Sequence, residues 1–122
     1  MILVDTSCWV DALRIHGSSV VKTRLTQLVR NGEAAWCAVV RLELWAGVGD
    51  AHERKVLKEF EQFIPELEIH FEVWDLACDL ASRGRRTGKT FPASDLLIAA
   101  CARHHGVAVE SADARFAVLM KL

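Results

Sequence analysis

The chain lacks most features that would take it out of the ordinary globular class. Neither Leu96–Ala102 nor any other uninterrupted apolar run approaches the roughly 20 residues a bilayer-spanning helix needs. No basic lead precedes the apolar Ile2-Leu3-Val4, and Asp5 follows it at once, so no signal peptide is expected and a cytoplasmic location is. Cys8, Cys37, Cys78 and Cys101 form no CxxC pair and sit among apolar neighbours, which favours buried reduced thiols over disulfides or zinc. Net charge is nearly absent too, at −1, so polyanion binding would need a local basic patch or a bound metal. There is no internal repeat, low-complexity tract or linker. With 122 residues and 52% hydrophobic content, one domain spanning residues 1–122 is expected.

What is present is an alternation of short apolar runs with helical patterns. Ile2–Val4 reads as a strand buried on both faces, followed by a helix from Thr6 to about Arg14. A helix over Val20–Arg30 closes at Asn31-Gly32. A strand over Ala34–Val39 then runs into a helix from Val40 to Val48. His52–Phe63 is amphipathic and ends at Pro65, Leu67–His70 suggests a short strand, and Val73 opens a helix to about Arg83. A loop over Gly84–Pro92 leads to a helix over Ala93–His105, a strand over Val107–Val109 and a helix over Ala114–Met120. No hairpin signal separates the strands. The expected architecture is α/β: a parallel sheet of about four strands with helices on both faces, the strand order left open.

Four acids fall where strands give way to helices or early in helices: Asp5, Glu43, Asp95 and Asp113. Taken singly, Asp5, Asp95 and Asp113 read as helix caps and Glu43 as a solvated helix residue. Taken together they suggest a shared pocket at the ends of parallel strands. Converging carboxylates must there take up protons or hold a cation.

Those acids sit in Val4-Asp5-Thr6-Ser7-Cys8-Trp9, Glu43-Leu44-Trp45-Ala46-Gly47, Asp95-Leu96-Leu97-Ile98-Ala99-Ala100 and Ser111-Ala112-Asp113-Ala114-Arg115-Phe116. In order and spacing these segments resemble the four motifs of PIN domains, above all the VapC toxins of bacterial type II toxin–antitoxin systems. The resemblance runs from Ile2 to Phe116. It implies a PIN-like fold and an endoribonuclease dependent on Mg²⁺ or Mn²⁺, in which Asp5, Glu43, Asp95 and Asp113 are catalytic. Asp5, Asp95 and Asp113 would hold the metal, with Thr6, Ser7 and Ser111 supporting the site. It further implies an RNA substrate, a VapB-type antitoxin that blocks the acidic pocket, a homodimer, and inhibition of translation through RNA cleavage. Glu43 could orient or deprotonate the attacking water, or help hold a second ion. This sequence departs from the pattern twice. Arg115 stands where many relatives carry a further Asp, which could weaken a second metal site or add a phosphate contact. Many relatives also continue to one more short strand, whereas this sequence stops at Leu122.

Arg83, Arg85, Arg86 and Lys89 are the dense basic run, read either as a helix-end face or as a phosphate-guiding rim. Gly84–Thr90 imitates a phosphate-binding loop but is one residue short between its glycines and follows a helix instead of a strand. His104-His105 reads as a solvated helix end, and the four tryptophans as core or interface residues. Other functions compatible with the sequence are a PIN nuclease for RNA processing without a toxin role and a catalytically inactive PIN scaffold, which Arg115 keeps in view. A phosphoacceptor module is disfavoured, because neither paired acids near Asp5 nor a partner lysine is found.

Overall fold

A computed structural model describes residues Met1–Leu122. Its strands are β1 (Ile2–Val4), β2 (Ala34–Cys37), β3 (Glu66–Leu67) and β4 (Ala108–Glu110). The helices are α1 (Thr6–Leu13), α2 (Ser19–Arg30), α3 (Ala38–Ala46), α4 (Ala51–Phe63), α5 (Phe71–Arg86), α6 (Ala93–His105) and α7 (Arg115–Leu119). The four strands form one parallel sheet in the order β3-β2-β1-β4, with Ile2 paired to both Ala34 and Ala108.

That order determines the layers. The chain steps from β1 to β2 to β3 in one direction and returns across the sheet to β4. Right-handed crossovers then place α1–α4 on one face and α5–α6 on the other. The packing agrees: α1 contacts α2, α3 and α4, while α5 lies along α6. The strand order reverses at β1 and β4, so their carboxyl ends open the crevice where sheets of this type bind ligands. Asp5 N–H donates to the Glu110 carbonyl at 3.0 Å and closes the sheet just below that crevice.

Burial explains the segments whose sequence pattern is not amphipathic. Every residue from Leu96 to Ala102 in α6 is buried, so the apolar run is a helix enclosed on all sides. Gly106, at φ 68°, ends it in the left-handed conformation. Trp9 and Trp36 meet edge-on with ring centroids 5.4 Å apart in the core, and Trp9 Nε1 donates to the Val4 carbonyl at 3.0 Å. Trp74, by contrast, is 52% exposed.

Several boundaries differ from the sequence expectation. Ala38 and Val39, expected at the end of the strand, belong to α3, because Cys37 already has the extended backbone of a helix cap and Val40 behind them is drawn fully into the core. Strand propensity yields there to tertiary packing. β3 is shorter than expected and begins at Glu66. α5 runs on to Arg86 through Gly84, where the Phe91 ring lies so close that a Cβ would sit 3.1 Å from it. Cys78 is exposed while Cys8, Cys37 and Cys101 are buried, since it lies on the outer side of α5; all four thiols are free. No helix is long and apolar enough to cross a membrane.

Candidate active site

Asp5 is the floor of the site. It ends β1, caps α1 by accepting the Cys8 N–H at 3.4 Å, and is only 4% exposed. The capping role and the shared pocket are therefore not alternatives; one carboxylate does both. Ser7 Oγ donates to Asp5 Oδ1 at 2.8 Å, and Ser111 Oγ donates to Asp5 Oδ2 at 2.6 Å. Ser111 in turn accepts the Asp113 N–H at 2.9 Å, which ties the turn after β4 to the end of β1. Nearby, burial and the Asp5 charge push the Cys8 thiol up to about 11, so it stays protonated at neutral pH.

Glu43 comes from the far side of the pocket on α3. Thr6 Oγ1 donates to Glu43 Oε1 at 2.6 Å across 37 residues of sequence. Asp95 sits in the first turn of α6, whose cap residue Pro92 supplies no side-chain acceptor. Its side chain is 13% exposed. Burial pushes its carboxyl above the usual range; Arg115 opposes that shift, and the charges of Asp113, Asp5 and Glu43 add to it. Asp113, Asp5 and Glu43 therefore each lie within electrostatic reach of Asp95.

At the rim, Arg115 holds Asp113. Its Nε donates to Oδ2 at 2.8 Å and its backbone N–H to Oδ1 at 2.9 Å, which holds the Asp113 carboxyl below its ordinary range. Arg115 Nη2 also comes within 3.3 Å of Asp95 Oδ2. That approach meets the distance of an ion pair but not the geometry of a hydrogen bond, so the buried Asp95 Oδ2 has no donor.

The donor set matches a hard divalent cation in kind: carboxylate oxygens, one of them buried and without a donor, and no thiol or imidazole among them. As the side chains stand, no three of them are spaced as ligands of a single ion.

The basic run divides. Arg83 pairs with Asp79 and donates to the Leu122 carbonyl at 2.9 Å, so it is committed to anchoring the C-terminal residue. Arg85, Arg86 and Lys89 are exposed and make no ion pair with any of the acids. The phosphate-loop imitation is the end of α5 followed by a turn, as its lack of a preceding strand implied. His105 is less solvated than expected. Its Nε2 is 2.8 Å from the Glu68 carbonyl, and it packs with His70 and His104 at ring separations of 5.1–5.6 Å.

Residues 2–122 match the family model described as PIN domain. The chain belongs to the PIN-domain family. It is 30% identical over 125 residues to the protein named Ribonuclease VapC11 of Mycobacterium tuberculosis, covering 100% of this chain and 93% of that protein. Among solved structures it resembles FitAB bound to an IR36 DNA fragment, with a TM-score of 0.78 and 23% identity, covering 100% of this chain and 92% of that one. It also resembles VapBC2 of Rickettsia felis bound to a promoter DNA fragment, with a TM-score of 0.77 and 21% identity, covering 93% and 88%. These structural likenesses bear out the expected fold: a short parallel sheet with helices on both faces.

Proposed function

We propose that this PIN-domain protein is an endoribonuclease that hydrolyses RNA phosphodiester bonds with Mg²⁺ or Mn²⁺, as the toxin of a VapBC-type toxin–antitoxin pair that inhibits translation in the cytoplasm. The observation that carries this reading is the buried Asp95 oxygen without a donor, on a carboxylate within electrostatic reach of Asp5, Glu43 and Asp113. It occurs in a chain whose full-length relative is named a ribonuclease. Asp5 and Asp95 would hold the metal, with Asp113 as a further ligand once released from Arg115. When bound, the metal would lower the pKa of a coordinated water and offset charge developing on the phosphate.

The chain's own residues do the remaining work. Ser7 and Ser111 hold both Asp5 oxygens and so orient that carboxylate; Oδ1 also accepts the Cys8 N–H, so Oδ2 is the oxygen that keeps a lone pair for a cation. Thr6 fixes Glu43 through one oxygen and leaves the other free to orient a water or accept its proton. Arg85, Arg86 and Lys89 would guide the RNA backbone as exposed cations that form no ion pair. Val20, Leu42 and Phe63 are exposed apolar side chains at 78%, 69% and 55%. They offer exposed apolar surface to an antitoxin segment or a second copy of the chain.

The test is incubation of purified protein with total RNA and Mg²⁺, with EDTA and Asp5→Ala controls, mapping new ends by sequencing. Discrete new ends that vanish in both controls are expected. Cleavage that persists in both would end the metal-nuclease reading.

A further inference from the structure

Arg115 is the only basic residue that forms an ion pair with any of the four acids. It engages both oxygens of Asp113 through its backbone N–H and its side chain, and the same guanidinium reaches Asp95 Oδ2. It therefore neutralises the edge of the pocket where Asp95 and Asp113 face one another. Asp5 differs: its donors are two hydroxyls and one amide, all uncharged.

We propose that Arg115 is an intramolecular counter-ion that competes with a divalent metal for Asp95 and Asp113, so that the ion enters the site as the guanidinium leaves. The inference rests on the metal-site reading above. Two cations cannot share these oxygens at close range without repelling each other. The apparent metal affinity is thus reduced by the fraction of molecules in which the clasp is open. The clasp can open without disturbing the fold. The Arg115 side chain is 49% exposed and lies at the start of the five-residue α7. The undonated Asp95 Oδ2 marks the weaker prong, where the guanidinium compensates charge but makes no hydrogen bond. Asp113 is then the acid most occupied by Arg115, and Asp5 the acid whose donors are all uncharged.

The test is calorimetric titration of Mn²⁺ into the full chain, comparing the native protein with Arg115→Ala, Arg115→Lys and Asp95→Asn. Arg115→Ala should bind Mn²⁺ roughly tenfold more tightly, the factor for a clasp closed about nine-tenths of the time. Arg115→Lys should recover much of that gain, because an ammonium keeps the charge but cannot form the two-pronged clasp. Asp95→Asn should lose binding. In the native protein, Mg²⁺ should also shift the Arg115 Nε–H resonance, a readout of release that does not depend on cleavage. Equal Mn²⁺ affinity in the native protein and Arg115→Ala, with binding lost in Asp95→Asn, would overturn the competition while leaving the metal site standing. A gain in Arg115→Ala with none in Arg115→Lys would reduce the effect to long-range charge and likewise overturn displacement. No Mn²⁺ binding to any form would overturn both readings.

Discussion

Asp5 and Asp113 are the same residue type, joined through the Ser111 hydroxyl, yet they meet opposite physical conditions. Asp5 lies buried under neutral donors, its position fixed but its charge uncompensated. Asp113 lies at the rim with its charge already met by Arg115. The difference separates orientation from neutralisation. Hydroxyls aim a carboxylate without discharging it, which suits a residue that must later hold a cation. A guanidinium discharges the carboxylate and so stands in the cation's way.

The largest test of this contrast lies at Asp95, which shares features of both. Asp95→Asn should abolish RNA cleavage while leaving the metal-free protein at least as stable as the native one. Burial raises the Asp95 pKa, so its contribution to stability is present below the ordinary aspartate value of about 3.9 and is lost as pH climbs through the raised value. The melting temperature of the variant should therefore gain on the native protein between about pH 4 and neutrality. A variant that melts markedly lower at neutral pH would show that Asp95 is held by a structural ion pair.

Next in size is Ser111→Ala, which removes the one hydroxyl that serves both sides of the contrast. Asp5 Oδ2 loses its donor and the Asp113 N–H its acceptor. Metal affinity should fall by roughly 10–100-fold, and metal-free stability by about 1–3 kcal/mol. Denaturant melts and Mn²⁺ titration measure the two effects separately. If neither quantity moves, Ser111 does not orient the floor.

Thr6→Val should act more narrowly, slowing cleavage by freeing Glu43 while metal binding changes little, since its hydroxyl reaches only Glu43 Oε1. Single-turnover rates beside Mn²⁺ titration make the distinction; an equal loss in both would move Glu43 into the metal shell.

The smallest effect concerns the outer surface. Replacing Arg85 and Arg86 with Gln should flatten the salt dependence of RNA binding by up to about 0.7 in log–log slope for each phosphate no longer neutralised. An unchanged slope would remove this rim from the RNA path.

How much of this was legible beforehand depends on the range of the interaction. The strand–acid–cap pattern of Ile2–Ser7 and the buried helix Leu96–Ala102 are local, and their elements appear where periodicity placed them. The end of β2 was not legible, because β-branched Val39 continues the strand chemistry and only packing places Ala38 and Val39 in the helix. Ser111 and Thr6 stood out only through family resemblance. Their partners lie 106 and 37 residues away, at distances no spacing rule reaches. The Arg115 clasp was visible as an odd residue type, but its hold on Asp95 depends on how the turn after β4 meets the start of α6. That meeting is a product of the strand order, which the sequence left open.

Segments far apart in the chain would build one cation site on Asp5 and Asp95, and on that site the rest depends. Anomalous diffraction from crystals grown with Mn²⁺ tests it most directly. The expected result is a manganese peak bonded to both carboxylates and the Arg115 side chain turned away from Asp95. A map with no peak at Asp5, and Arg115 still clasping Asp95 and Asp113 at saturating Mn²⁺, would contradict it.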